Sequence, residues 1–343
     1  MSGWRTDVLG KGFDFLHLDL GEDAEGALEA TLVRSLPQPR NFWERGLQGP
    51  RPLSDVDVLY VHGWSDYFFQ RGLAEFWTAR GARFYALDLR KCGRSLREGQ
   101  TPGYVEDLSD YDLEITLALE EMGHGLATDA SNASDRRLVL FGHSTGGLTL
   151  SLWADRHRGI ADALILNSPW LELQLSGAVR KAMAPVMSFR AALNPRELAL
   201  PQLDLGFYKR AQRMVADPRE QADVNPLWRP EVSLPVLVGW FRAILDGHSR
   251  VAAGLQIGAP VCVLLSARSQ LGVTWRDEML RSDTVLDVDL IAGAALKLSD
   301  SVTIERIDGA LHDVFLSEPL TRRDAYSRLS RWVTGWSAAY APA

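Results

Sequence analysis

Arg137-Leu138-Val139-Leu140-Phe141-Gly142-His143-Ser144-Thr145-Gly146-Gly147 decides the fold. Its first five residues read as a buried strand, Gly-His-Ser-Thr-Gly as a tight turn, and Gly146 to His157 continues at helical spacing. In a G-x-S-x-G arrangement the serine occupies a strained strand-to-helix turn. The small residues two before and two after it, Gly142 and Gly146, let neighbouring backbone pass. The hydroxyl is thereby held above the strand ends, near the positive end of the following helix. A Gly-rich turn with an incidental serine is the plainer alternative. The apolar strand before the turn and the helix after it favour Ser144 as a nucleophile.

Outward from this turn the chain alternates. Phe13 to Leu20 and Ala27 to Val33 read as an antiparallel hairpin around an acidic turn, and the prolines at 37, 39, 50 and 52 mark a surface loop over 35–54. Strands are predicted at Val56–Val61, Arg83–Leu87, Arg137–Phe141 and Ala163–Leu166, with helices at Phe69–Arg80, Val105–Met122 and Gly146–His157 between and after them. The alternation then stops. From 168 to 258 the sequence is rich in Pro, Trp, Met and Leu without a clear strand, and it resumes with a strand at Pro260–Ser266. A helical stretch at Leu286–Leu298, a strand at Val302–Ile307 and a helix after Pro319 complete it. Strands alternating with helices mean a parallel sheet covered on both faces. The expectation is an α/β fold with a mostly parallel eight-stranded sheet, an N-terminal antiparallel hairpin, a core of 1–167 and 259–343, and a helical insertion at 168–258.

Composition narrows the function. The 343 residues are 46% hydrophobic and 24% charged, ordinary for a globular chain. Lys and Arg number 37 against 44 Asp and Glu, a net charge of -7, so a chain without a basic cluster would repel phosphates and is no nucleic-acid binder. Its two cysteines, Cys92 and Cys262, lack CxxC or CxxH spacing, which excludes a disulfide scaffold and a cysteine zinc site. A reduced pair is expected. The N-terminal residues form no apolar signal core, and the stretch Leu234 to Leu245 is too short to span a bilayer and is broken by Arg242. A soluble, cytoplasmic protein is the expectation.

A serine hydroxyl needs a base. Of seven histidines, His143 adjoins the serine but should point away from it, His157 ends a helix, His124 follows an acidic helix and His248 lies in the insertion. His312 follows a strand and a small-residue turn, which puts it on a loop at the strand's C-terminal end, where open parallel sheets place ligands. An acid must then orient the imidazole. Asp277, Asp283, Asp287 and Asp289 are the candidates; Asp287 and Asp289 fall near a helix's first turn, where carboxylates are favoured for dipole reasons alone, so Asp283 leads and Asp287 is next. The strand Val56–Val61 ends in His62-Gly63-Trp64, a bend suited to exposing a backbone N–H. The N–H groups of Trp64 and Thr145 are the expected oxyanion donors, with His62 bracing the loop from beneath.

Together these segments resemble the α/β-hydrolase superfamily, and within it the lysophospholipase, monoacylglycerol lipase and serine aminopeptidase-like branch. The resemblance rests on His62-Gly63-Trp64-Ser65-Asp66-Tyr67-Phe68, on Gly142 to Gly147 and on Gly309-Ala310-Leu311-His312-Asp313. It rests also on Asp88-Leu89-Arg90-Lys91-Cys92-Gly93-Arg94-Ser95, where Lys91 and Cys92 replace the usual small residues. Asp283 carries Val285 and Leu286 in the manner of the family's acid, without its preceding glycine. The resemblance covers roughly 55–167 and 258–340, and implies that the insertion is a cap over Ser144. Trp170, Met183, Met187, Phe207 and Trp228 in it are candidates to line an acyl tunnel or to form the cap's own core, as are Leu171, Leu173, Phe189 and Tyr208.

The activity implied is hydrolysis of single-chain acyl esters, monoacylglycerols or lysophospholipids, by Ser144, His312 and Asp283. It requires no metal or organic cofactor. The expected partner is a small-molecule ester, with transient membrane-surface contact through the cap and a monomer or homodimer left open. The rival is an aminopeptidase, which needs a cap carboxylate for the substrate amine, with Glu172, Glu197 and Asp204 available. A non-catalytic ligand receptor on the same fold is the third reading.

Overall fold

Val56–Val61 is buried at all six positions because it forms the middle of a sheet. In the computed structural model, which describes residues 3–39, 51–125, 134–173, 177–199 and 204–339, nine strands make this sheet. They are β1 (Arg5–Thr6), β2 (Asp14–Asp23), β3 (Gly26–Ser35), β4 (Val56–Val61), β5 (Arg83–Asp88), β6 (Arg137–His143), β7 (Ala163–Asn167), β8 (Val261–Ser266) and β9 (Val302–Ile307). Their order is β1-β2-β3-β5-β4-β6-β7-β8-β9. β2 and β3 form the antiparallel hairpin, β3 joins β5 antiparallel, and every later pairing is parallel. The eight strands expected from the sequence are β2 to β9. β1 adds a ninth at the edge, two residues long and too short to show a period of two.

Alternate side chains of the strands feed two cores. Leu59, Val61, Leu138 and Leu140 face one layer, while Val58, Tyr60, Val139 and Phe141 face the other. The second layer holds α1 (Arg71–Ala79), through Leu73 and Trp77, and the terminal α9 (Pro319–Ala339), through Leu329, Val333 and Trp336. The first layer takes α2 (Asp112–Met122), α3 (Thr145–Arg156) and α8 (Val288–Ala295). The helix expected from Val105 begins instead at Asp112, because Leu108–Tyr111 form a 3₁₀ turn whose start is capped by the Asp107 side chain.

Between β7 and β8 run α4 (Gly177–Leu193), α5 (Phe207–Val215), α6 (Pro218–Ala222) and α7 (Val238–Ala253). Among the described residues the isolated bridge Leu198–Leu237 is the only strand-like pairing within this stretch. α7 packs Trp240, Phe241, Ile244 and Leu245 into the same core as α3. The loop expected over 35–54 falls, from 40 to 50, outside the described residues. Cys92 and Cys262 are free thiols, and no helix among the described residues is long and apolar enough to cross a membrane.

Candidate active site

β6 ends at His143, and Ser144 turns the chain into α3 with φ 51° and ψ -117°. A non-glycine residue held there is strained by about 1–3 kcal/mol, which the surroundings must over-determine. They do. A Cβ on Gly142 would lie 2.6 Å from Gly147 Cα, and one on Gly146 would lie 2.3 Å from the His62 carbonyl oxygen, so neither position admits a side chain. The Ser144 N–H donates to Asn167 O, and its own carbonyl accepts from Gly147, Leu148 and Trp170. Ser65 and Ser168, on neighbouring loops, also sit at positive φ, so backbone strain gathers around this one turn.

The end of β9 brings up His312, whose Nε2 accepts the Ser144 hydroxyl at 3.0 Å. Its Nδ1–H donates to Asp283 Oδ2 at 2.9 Å. These partners assign the tautomer. The second Asp283 oxygen accepts the N–H groups of Val285 and Leu286 at 2.7 and 2.9 Å, so this fully buried carboxylate has both oxygens satisfied. Asp287 is spent elsewhere: its Oδ1 accepts from Asp289 and Leu290 and caps α8. Asp289 pairs with Arg306.

The Gly63 backbone abuts the serine, since a Cβ there would lie 3.0 Å from Ser144 Cβ. The backbone N–H groups of Trp64 and Thr145 donate no hydrogen bond among the described residues. His62 accepts the Leu89 N–H and donates to the Gly63 carbonyl, which ties this loop to the one after β5. His143 differs from expectation. It makes no bond to Ser144, but its ring stands 5.0 Å from that of His312 and lines the same cavity, because its Nδ1–H is anchored on the Asn167 carbonyl across β6 and β7.

Ser144, His312, Trp64 and Thr145 open into a cavity of about 320 Å³. Of the candidate lining residues, Trp170, Phe207 and Tyr208 border it. Met183, Met187 and Trp228 do not. Met187 is buried and Met183 packs against the main core, while Trp228 stands edge-on to Tyr67 at 5.3 Å in a separate cluster. Leu171 and Leu173 are core, and Phe189 is 67% exposed. The cavity wall also carries Asp66, Asp204, Lys209 and Arg229. Burial, with Arg229 nearby, pushes the Lys209 ammonium down to about 8.

Sequence reasoning missed Asp313. Its buried carboxylate accepts from Asn167 Nδ2, Gln70 Nε2 and the Phe315 N–H, and so props the loop behind His312. An aspartate immediately before a helical turn is a capping signal, and that signal was present. Gln70 and Asn167 carried none.

Residues 54–319 match the family model described as serine aminopeptidase, S33. The chain belongs to this hydrolase family. The serine aminopeptidase family lies within the α/β-hydrolase superfamily, and solved structures agree on the fold. A soluble variant of monoglyceride lipase from Saccharomyces cerevisiae, in complex with a substrate analog, superposes with a TM-score of 0.62 at 15% identity over 94% of this chain and 96% of that one. The monoacylglycerol lipase of Paleococcus ferrophilus gives 0.57 at 18% identity over 82% and 94%. At such identities the likeness is one of fold. In sequence, phospholipase YtpA of Bacillus subtilis (strain 168) is 28% identical over 128 residues, which are 37% of this family member and 44% of that protein. The match therefore spans less than half of its length.

Proposed function

We propose that the chain is a serine hydrolase of carboxylic esters bearing a single acyl chain, monoacylglycerols and lysophospholipids among them. The observation that carries this reading is the unbroken line Ser144 Oγ–His312–Asp283 at the floor of the cavity. Ser144 attacks the acyl carbon while His312 Nε2 takes its proton, and Asp283 holds the Nδ1–H tautomer and steadies the imidazolium. The Trp64 and Thr145 N–H groups receive the oxyanion. His312 returns the proton to the leaving alcohol, and water then enters, is deprotonated by the same nitrogen and releases the acid. The reaction so written needs neither metal nor organic cofactor.

Residues 168–258 act as the cap. Trp170, Phe207, Val236, Trp240 and Leu286 supply an apolar wall for the acyl chain. The exposed residues Val186, Phe189 and Leu193 share one face of α4 and support transient contact with a membrane surface, from which such a substrate would be drawn.

The family's peptidase name invites the other reading, but the carboxylates speak against it. Asp204 borders the cavity with its oxygens bonded to Ser233 and Gly206, and Asp66 is paired with Arg229 at 2.6 Å. Glu172 and Glu197 do not border it, and Glu197 pairs with Arg190. Among the described residues, a substrate amine would find two cations in the wall and no unengaged acid there. Ser144→Ala should leave the fold intact, abolish labelling by a fluorophosphonate probe and lower nitrophenyl-ester turnover by roughly 10³-fold or more. A panel of acyl esters and aminoacyl amides decides the class; preferential cleavage of the amides would hand the site to the peptidase reading.

A further inference from the structure

The loop that carries His312 and the loop that carries Trp64 are joined, across the cavity, by side chains of the 168–258 stretch. Tyr208 on α5 sets its ring edge-on to the His312 imidazole, with centroids 5.3 Å apart at 84°. Its hydroxyl oxygen accepts the N–H of Asp313, the residue after the base, at 3.2 Å. One turn along α5, Gln212 Nε2 donates to the same oxygen at 2.5 Å, and Gln212 Oε1 accepts Arg229 Nη2 at 2.7 Å. Arg229 Nε donates to Asp66 Oδ1 at 2.6 Å, and Asp66 stands two residues beyond Trp64. Asp66, Gln212 and Arg229 are 6%, 4% and 8% exposed.

Burying an ion pair in this way is a poor route to stability, since desolvation offsets most of the attraction and apolar packing would do as well or better. Its value lies in fixed geometry. Proton transfer and oxyanion binding act on the two ends of one developing bond, and a misplacement of about 1 Å in either can reduce rate by about 10²-fold. The line runs from residue 66 through 229, 212 and 208 to 313, alongside the direct bond from Gln70 Nε2 to the Asp313 carboxylate, and unlike that bond it passes through the insertion.

We infer that Tyr208, Gln212, Arg229 and Asp66 are positioning residues, a polar strap that holds the base and the oxyanion donors at a fixed separation on either side of Ser144. This rests on the reading of Ser144 and His312 as nucleophile and base. The strap makes the docked insertion a condition for turnover, in addition to any role in choosing substrate.

Tyr208→Phe removes one hydroxyl and leaves its ring on His312, and Asp66→Asn neutralises the far end without changing its shape. These two residues share no hydrogen bond, so independent effects would multiply, whereas a strap that acts as a unit is broken once. Each single variant should lower kcat about fivefold to tenfold with KM within about twofold, and the double variant should fall no further than the weaker single. Asp66→Glu, which keeps the carboxylate, should recover most of the rate. If Asp66→Asn does not fold, Gln212→Met leaves both charges paired and takes its place in the cycle. Multiplying losses, unchanged kcat, or a rise in KM alone would overturn the strap; the last would mean that these groups hold substrate instead. Fluorophosphonate labelling distinguishes failure of the strap from failure of the serine as nucleophile. A wild type that resists the probe sinks the serine reading and the strap together. A labelled wild type with strap variants labelled at its rate sinks the strap alone.

Discussion

Asp283 and Asp287 are four residues apart and chemically identical, yet the fold gives them different work. Asp283 is fully buried and meets His312, while Asp287 satisfies the first N–H groups of α8. Asp283→Asn should therefore lower kcat by several hundredfold or more, roughly, by removing the acceptor that fixes the imidazole tautomer. Asp287→Asn should leave turnover within about twofold, because asparagine caps a helix about as well. Steady-state kinetics on one ester decide it, and the reverse ranking would move the acid. Ser144, His312 and Asp283 were legible because each sits at a position the backbone marks: a glycine-flanked turn, a strand's end, a loop before a helix. Tyr208 and Arg229 were not. Their partners lie 105 and 163 residues away, and no local spacing encodes a bond of that reach.

Helices raise a different question, namely what fastens the 168–258 stretch to the sheet. One tie is Glu220 on α6, whose carboxylate accepts the N–H groups of Arg71 and Gly72 at 3.0 and 2.7 Å, at the start of α1. Burial outweighs those donors and pushes the carboxyl up from 4.5 to about 7. The unfolded chain thus loses this proton from about pH 4.5 upward while the folded chain keeps it. The group's contribution is full below about pH 4.5 and falls until the pH has passed about 7. Glu220→Gln cannot titrate. Glutamine accepts only one of the two N–H groups, so its constant offset is not the signal; the trend with pH is. In thermal melts the variant should gain on the wild type by a few degrees between pH 5 and pH 8. A gap that does not change with pH would show a carboxyl of ordinary acidity. The sequence announced helices here but not their order or depth, because an apolar-rich stretch without a strand period constrains the kind of element and leaves its packing partner open.

At the scale of the whole molecule, the sheet was the legible part. Period-two alternation and strand-helix alternation are local signals that add up to one topology, and the parallel crossovers then gather Ser144 and His312 from 168 residues apart. The cavity between sheet and insertion was not legible, since its volume depends on which large side chains turn inward. Trp170 and Phe207 do, whereas Met187 joins the core. With about 320 Å³ available, specificity constants for esters of growing chain length should climb by roughly fourfold per methylene and then level off or drop. A flat series from acetyl to lauroyl would point to an open, polar cleft. One contact reports on this arrangement by itself. Trp64, on the loop after β4, lies against Trp240 of α7 with ring centroids 3.7 Å apart and planes 32° from parallel. Two indoles so close and skewed share their excitation, so the near-contact of loop and helix is written into the protein's circular dichroism, and the seating of α7 against the loop after β4 can be followed by light without attaching a label.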